Sequence, residues 1–245
     1  MIQLQNFDFE LEFPSGVEIC VLHAHPDDEA FLNAGIIQKF VKTGRKVRVL
    51  YTAAMPQIRF PRTLQRAWEA YRATRALGVA KMNFLPNVDL PYRKDNGFAL
   101  EFLTEYFLLK FWNPNRKLVL FSYDEQGGYG HPDHINVHQL AKAIQAHTNC
   151  ALWESTINRD LVSRWLEVES KQPEPSLPNR RYWIRDFGLE ESQISHFYPL
   201  TRQEIERKRE ALAMHKSQTD PKQFPLALTD TDFSHLFGIE YLRKC

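Results

Sequence analysis

Short apolar runs alternate along this chain with segments of helical periodicity, and this alternation restricts the possible folds more than any other feature. Residues 17–24 (VEICVLHA) are predicted to form a first strand, and residues 47–52 a second. Strands separated by helices indicate an α/β fold with a largely parallel sheet. Between the two strands, apolar residues follow the spacing of a helix that buries one face: Phe31, Leu32, Ile36 and Phe40.

The same alternation continues to the end of the chain. Helices are predicted at about 63–77 and 98–111, from Pro132, and from Thr201, where Glu204 completes a capping box. Further strands are predicted at 83–85, 117–122 and 150–154, with possible edge strands at 182–184 and 194–198. The Pro-rich, charged segment 167–180 is expected to be a surface loop, so residues 1–245 are predicted to form a single domain. The helix at 63–77 is expected to bury four residues: Leu64, Ala67, Trp68 and Tyr71.

Two clusters of histidine and acidic residues each follow a predicted strand and precede a predicted helix. The first is HPDDE at 25–29, and the second is HPDH at 131–134. The carboxyl ends of strands in open α/β sheets are where ligands bind. Adjacent acids repel one another unless a positive charge compensates them, and a helix N-terminus does so only in part. Helix capping could explain either cluster alone, but two clusters that both contain histidine favour a metal site.

The residue types suit zinc in a hydrolase. A catalytic zinc ion commonly has three protein ligands and one water. His25 and Asp28 can bind from one loop, and His134 from the other. Metal-bound water has a pKa of about 7, and its attack requires a neighbouring base and a donor to the oxyanion. The sequence therefore predicts one Zn²⁺ per chain, with iron, manganese or cobalt as open alternatives.

The two motifs also carry a family resemblance. AHPDDE at 24–29 and GGYGHPDH at 127–134 resemble the PIG-L/LmbE family of zinc-dependent N-deacetylases. The likeness extends over about 18–219 and includes RAWE at 66–69 and KREALAMHKSQ at 208–218. It implies a Rossmann-like α/β fold, with a mostly parallel sheet and helices on both faces. It also implies removal of an acetyl group from the amide nitrogen of an N-acetylglucosamine-type or related small molecule.

The resemblance further implies a role for each motif residue. The metal ligands would be His25, Asp28 and His134, because the family pattern uses only the second histidine of HPDH. Asp27 would be the general base. His131 would polarise the carbonyl or protonate the leaving amine, with Asp133 orienting it.

Three other residues are candidates with a structural alternative. Tyr129 could reach the oxyanion or simply pack within its loop. Arg66 could bind substrate, or form an ordinary surface ion pair with Glu69 one helical turn away. Asp89 could accept hydrogen bonds from sugar hydroxyls.

Several histidines and tryptophans have mainly structural interpretations. His23 alternates with His25 along the strand, which favours a core or second-layer position. His138 is expected to be a satisfied buried histidine, and His215 to serve the last helix's dipole or loop packing. The core is expected to contain Trp68, Trp112 and Trp153.

Composition narrows the remaining function classes. A net charge of +1, from 31 basic and 30 acidic residues, argues against a nucleic-acid-binding protein. Three widely spaced cysteines suggest a reducing compartment, and neither a signal peptide nor an apolar run of about 20 residues is evident. We therefore expect a cytoplasmic enzyme that acts on a small N-acylated molecule; the sequence does not indicate its oligomeric state. The open alternatives are a hydrolase of a non-sugar amide or ester, and a catalytically silent metal-binding protein.

Overall fold

The computed structural model describes residues 5–7, 9–13, 16–52, 62–86, 97–169, 187–222 and 224–245. In these ranges, the strands are β1 (Gln5–Asn6), β2 (Glu18–His23), β3 (Val47–Tyr51), β4 (Lys81–Phe84), β5 (Leu118–Tyr123), β6 (Ala151–Thr156), β7 (His196–Pro199) and β8 (Ile239–Lys244). They form one sheet in the order β1-β7-β8-β6-β5-β2-β3-β4. All neighbouring strands are parallel except β8, which runs antiparallel to both β6 and β7.

The helices are α1 (Phe9–Glu12), α2 (Asp28–Leu32), α3 (Ala34–Lys42), α4 (Arg62–Ala76), α5 (Gly97–Lys110), α6 (Gly127–Gly130), α7 (Pro132–Thr148), α8 (Arg159–Glu169), α9 (Arg202–Met214) and α10 (Asp230–Phe237). A short 3-10 helix covers Glu191–Gln193. Thr201 caps α9 through the predicted capping box with Glu204.

Hydrophobic cores lie on both faces of the sheet. Alternate residues of β2 belong to two different clusters. Ile19 and Val21 belong to a hydrophobic cluster that also contains residues of α3, α4 and α9. Cys20 and Leu22 belong to a second cluster with residues of α5 and α7. Successive side chains of a strand point to opposite faces, so helices cover both faces. The predicted mostly parallel, Rossmann-like α/β fold is confirmed.

The C-terminal part of the chain differs most from the prediction. The helices α8 and α10 and the strand β8 were not predicted. The strand predicted at 194–198 forms as β7, but it lies between β1 and β8 rather than at an edge. Part of the predicted loop at 167–180 continues α8 to Glu169. The remainder of that loop and the strand predicted at 182–184 lie outside the described residues.

The single helix predicted after β2 is two helices, α2 and α3, which meet at Asn33. The Asn33 side chain bonds to His23 Nε2 at 3.0 Å and donates to Ser155 Oγ at 2.7 Å. Both His23 and Asn33 are fully buried. The core position predicted for His23 is therefore confirmed, and a polar network anchors the break between the helices.

The buried face predicted for α4 is wrong. Leu64, Trp68 and Tyr71 are 58%, 60% and 47% exposed, and the Trp68 and Tyr71 rings stack at 5.5 Å. The opposite face, which includes Ala70 and Ala73, is buried and packs toward α9. Small side chains allow two helices to approach closely. The alanine face of α4 is therefore the one that packs against the protein, although the face with Leu64, Trp68 and Tyr71 carries the larger apolar side chains. Of the other tryptophans, Trp153 is buried as predicted and Trp112 is partly buried.

The observed orientation of α4 predicts that two tryptophan substitutions destabilise the protein to different extents. Trp153→Ala should lower the free energy of unfolding by about 3–5 kcal/mol, because a large buried ring leaves a cavity. Trp68→Ala should lower it by less than about 1 kcal/mol, as is usual for an exposed side chain. Urea denaturation of both variants measures the difference. Equal losses would contradict the orientation of α4.

Candidate active site and metal centre

Both histidine clusters lie at one edge of the sheet. The HPDDE loop follows β2, and the loop that carries HPDH follows β5; these two strands are parallel neighbours. From β2 the chain proceeds to β3 and β4 on one side, whereas β5 lies on the other side. The clusters therefore face each other at the switch point of the sheet, where ligands bind in open α/β folds.

Three predicted ligand residues form a compact triangle. His25 Nδ1 lies 3.2 Å from His134 Nε2, and Asp28 Oδ1 lies 3.4 Å from the same His134 atom. Asp28 Oδ2 lies 3.6 Å from His25 Nδ1. Ligand atoms at about 2.0–2.2 Å from a tetrahedral ion are separated by about 3.3–3.6 Å. These three side chains therefore fit a single small metal ion.

Hydrogen bonds orient both imidazoles of this triangle. His134 Nδ1 bonds to the carbonyl oxygen of Gly127 at 2.9 Å, and His25 Nε2 bonds to Asp133 Oδ2 at 2.9 Å. A metal-binding imidazole typically donates its other N–H to a carbonyl or carboxylate in this way. Gly127 has a φ of +64°, and a Cβ atom there would be 2.8 Å from His134 Cβ. Only glycine permits this close approach.

Asp28 is held by a residue that sequence reasoning missed. The Tyr123 hydroxyl donates to Asp28 Oδ2 at 2.6 Å, and the Tyr123 ring stacks on His134 with centroids 4.1 Å apart. The His25 amide also donates to Asp28 Oδ2, at 2.9 Å. Although burial opposes it, the His134 and His25 charges hold the pKa of Asp28 well below its usual range. Position 123 ends a strand beside both clusters, which is the one signal that could have identified the tyrosine.

The protonation state of His25 is set by its two carboxylate neighbours. Burial lowers the pKa of His25, but its bonds to Asp133 and Asp28 outweigh burial and raise that pKa to about 10. A histidine must be deprotonated at the nitrogen that binds a metal. A metal ion bound at Nδ1 would therefore displace a proton.

His131 completes a second possible donor set. Nitrogen atoms of His25, His131 and His134 all lie within 4.8 Å of one another, so this group could also hold a metal ion. His131 Nδ1 accepts the amide N–H of Asp133 at 3.2 Å, whereas the Asp133 carboxylate is 4.0 Å from that nitrogen. Asp133 thus contacts His131 through its amide, and its carboxylate pairs with His25. Burial, together with His134 and His25, lowers the pKa of His131 to about 4.

Asp27 has an unusual backbone conformation. Its φ is +117° and its ψ is −28°, in a region that side-chain-bearing residues rarely adopt. Although it occupies the position before α2, its side chain does not cap that helix. Burial and the neighbouring Asp28 carboxylate raise the pKa of Asp27 to about 7. Strained residues of this kind cluster at functional sites.

The structure brings Arg66 and Tyr129 to the same site. Arg66 is half-buried, and its Nε atom is buried with no hydrogen-bond partner among the residues described. Burial lowers the pKa of Arg66, and the charges of Asp27 and Asp28 oppose that shift. The Tyr129 ring lies edge-on to His134, with centroids 4.9 Å apart, and burial raises its pKa. Asp89 lies outside the described residues.

The remaining histidines have defined partners. His138 bonds through Nδ1 to the carbonyl oxygen of Tyr123 at 3.1 Å, which agrees with a satisfied histidine. His215 is fully buried, and its Nε2 lies 2.9 Å from Glu29 Oε1. Sequence reasoning gave His215 a helix-end role and missed this partner. No local pattern could link the two residues, because they are 186 positions apart.

The fold and the site together define an α/β protein with a candidate metal centre between two histidine–aspartate loops. Residues 20–145, slightly more than half of the chain, match the family described as GlcNAc-PI de-N-acetylase. The chain belongs to this family, PIG-L. Among the described residues, no helix is both long and apolar enough to cross a membrane.

Three curated relatives carry the name 1D-myo-inositol 2-acetamido-2-deoxy-alpha-D-glucopyranoside deacetylase. The Geodermatophilus obscurus protein is 29% identical over 158 residues, which cover 52% of this chain and 53% of the relative. The protein of Mycobacterium sp. (strain KMS) is 31% identical over 189 residues, or 60% of each chain. That of Mycolicibacterium vanbaalenii is 26% identical over 249 residues, or 84% of each. The chain thus spans little more than half the length of the first of these relatives.

Solved structures agree on the fold. The N,N'-diacetylchitobiose deacetylase from Pyrococcus horikoshii has a TM-score of 0.61 at 18% identity, covering 98% of this chain and 87% of that one. A deacetylase–teicoplanin complex from the teicoplanin biosynthesis pathway has a TM-score of 0.60 at 14% identity, covering 94% and 99%. At such identities the likeness concerns the fold alone.

Proposed function

We propose that this protein is a zinc-dependent N-deacetylase that hydrolyses the acetamido group of a glucosamine-type or related small molecule. The observation that carries the proposal is the triangle of His25, Asp28 and His134 at 3.2–3.6 Å. Family membership and the names of the curated relatives support the acetamido sugar as the substrate class. We place the protein in the cytoplasm, because all three of its cysteines have free thiols, as is usual in a reducing compartment.

Those three side chains would hold one zinc ion per chain. We prefer this set to the one containing His131, because its atoms match tetrahedral spacing more closely and because His131 Nδ1 already accepts a backbone N–H. When bound, zinc lowers the pKa of a coordinated water to about 7 and polarises a carbonyl oxygen.

Asp27 would take the proton from the attacking water. It follows the ligand His25 by two positions and precedes the ligand Asp28, so its carboxylate belongs to the same loop as the metal centre. Because it does not cap α2, its oxygens remain available for water. A positioned base of this kind typically contributes about 10²–10⁴ to the rate. Asp27 would then return the proton to the departing amine nitrogen.

His131 and Tyr129 would stabilise the oxyanion that develops on the acetyl oxygen. Because His131 Nδ1 accepts the Asp133 amide, the proton of the neutral ring lies on Nε2, which makes that atom a donor. The neutral ring favours polarisation of the carbonyl over protonation of the amine. The Tyr129 hydroxyl would be a second donor. Asp133 would act mainly on His25, by holding its ring through Nε2.

Arg66 would bind the sugar. Its buried Nε lacks a partner among the described residues, and a buried donor without a partner is costly. A substrate hydroxyl or carbonyl oxygen would satisfy it. Asp89 remains a prediction as an acceptor for sugar hydroxyls.

An acetate-release assay tests the function. We expect release from N-acetylglucosamine, its glycosides or N,N'-diacetylchitobiose, loss of release after chelation, and recovery with one equivalent of zinc. Acetate release only from O-acetyl esters or from non-sugar N-acetylamines would favour a different hydrolase. If metal-loaded protein released acetate from none of these compounds, the chain would be a metal-binding protein without this activity.

A further inference from the structure

The turn that ends α9 contacts two glutamates next to the candidate active site, Glu29 and Glu69. His215 is the C-cap residue of α9, and its ring is fully buried against Glu29, with Nε2 2.9 Å from Oε1. Glu29 is likewise fully buried. A buried carboxylate is strongly unfavourable unless it is paired, and the His215 ring is the partner within hydrogen-bond distance of Oε1; the buried Tyr51 side chain also interacts with Glu29.

Glu29 in turn holds the backbone of Asp27. Its other oxygen, Oε2, accepts the Asp27 amide N–H at 3.0 Å. This bond is made at the residue whose φ is +117°. A strained backbone persists only where its surroundings hold it in place. The chain of contacts from His215 through Glu29 therefore helps to fix the direction of the Asp27 carboxylate.

The same turn also holds α4. Ser217 donates both its amide N–H and its hydroxyl to the Glu69 carboxylate, with the amide 3.1 Å from Oε1. Glu69 is buried, one helical turn from Arg66. Thr219 stabilises the turn itself, since its hydroxyl donates to the carbonyl oxygens of Leu212 at 2.8 Å and His215 at 2.9 Å.

We propose that the turn 215–219 positions the reacting groups: His215 fixes Asp27 through Glu29, and Ser217 fixes Arg66 through Glu69. The proposal rests on the deacetylase function and adds two positioning residues to it. It explains why one turn contacts a glutamate on each of two helices, α2 and α4, that border the site. Neither residue is expected to touch the substrate or the metal.

The two contacts predict different kinetic effects. His215→Leu should lower kcat by about 10- to 100-fold with KM within about twofold, because a displaced base slows chemistry without weakening binding. His215→Gln, which can still donate to Glu29, should recover most of that loss. Ser217→Ala should instead raise KM by roughly three- to tenfold, the effect of one lost hydrogen bond on the Arg66 helix. All three variants should bind one equivalent of zinc.

A matched control separates positioning from stability. His196 is also a buried histidine near a glutamate, Glu12, but it is the first residue of β7, which is separated in the sheet from the strands that carry the site. His196→Leu should lower Tm with kcat unchanged. A double-mutant cycle adds a second criterion: if His215 acts through Asp27, His215→Leu should change kcat little in the Asp27→Asn background. An equal loss in both backgrounds, or a wild-type kcat in His215→Leu, would overturn the proposal.

Hydrogen exchange distinguishes this proposal from the proposed function. Amide exchange over residues 24–32 should be faster in His215→Leu than in wild type and unchanged in His196→Leu. This readout does not require turnover. If wild-type protein were inactive but exchange were faster in His215→Leu, the proposed deacetylase activity would be wrong and the positioning contact would stand. If exchange were unchanged in His215→Leu, the positioning role would be wrong.

Discussion

Asp27→Asn is expected to lower kcat by at least about 100-fold while one equivalent of metal remains bound. The substitution removes the base but leaves the triangle of His25, Asp28 and His134 intact. Asn is close to isosteric with Asp, and it is one of the residues that most readily adopt a positive φ. Steady-state kinetics and metal analysis of the same preparation provide the measurement.

The same variant should not be less stable than wild type in the absence of metal. Asp27 carries its charge beside the acids Asp28 and Glu29, and burial and that repulsion raise its pKa. Removing the charge relieves the repulsion, so Tm of the metal-free variant should equal or exceed that of metal-free wild type. Loss of activity without loss of stability would mark Asp27 as a functional residue.

Asp28→Asn is the matched control for Asp27→Asn. It changes the adjacent carboxylate in the same way, but at the residue that contacts His134, His25 and Tyr123. We expect this variant to lose most of its metal. If both variants lost metal equally, the assignment of base to Asp27 and ligand to Asp28 would be wrong.

His134→Ala is expected to abolish stoichiometric metal binding and, with it, activity. His134 is fully buried, and its Nε2 lies 3.2 Å from His25 Nδ1 and 3.4 Å from Asp28 Oδ1, the two shortest sides of the triangle. Wild-type Tm should rise when zinc is added to metal-free protein, because a ligand that binds only the folded state stabilises it. The Tm of His134→Ala should not respond. Metal analysis and thermal unfolding with and without zinc measure both effects.

His131→Ala distinguishes the two possible donor sets. If His25, Asp28 and His134 are the ligands, this variant should keep about one equivalent of metal and lose turnover. If the ligands are instead His25, His131 and His134, it should lose metal, and Asp28→Asn should retain it. The pair of variants therefore gives opposite results for the two sets.

Local patterns in the sequence predicted the elements that carry the site. Alternation of apolar runs and helical periodicity determined β2, β3, β5 and β6, and hence the parallel part of the sheet. Because parallel strands end at the same edge, the positions of HPDDE and HPDH already implied that the two loops meet. Both motifs are contiguous, so their metal-binding character could be recognised without tertiary information.

The sequence could not decide between two structures where its pattern was compatible with both, as for the buried face of α4. On α4, the face with Leu64, Trp68 and Tyr71 and the face with Ala70 and Ala73 both have helical spacing. Close packing against α9 decides which face is buried, and the sequence contains no measure of that distance. Likewise, β8 is a short strand whose antiparallel place between β6 and β7 depends on partners far away in the chain.

The sequence alone determined the fold class, the two motifs and the residue types available for chemistry, because each depends on neighbours within a few positions. Only the tertiary structure decided how those residues are held. It paired Asp133 with His25, placed the Tyr123 hydroxyl on Asp28, and joined His215 to Glu29 across 186 positions. The Tyr123–Asp28 and His215–Glu29 bonds join buried polar groups, which in folded proteins are seldom left without a partner. Which groups meet depends on how the helices pack on the sheet.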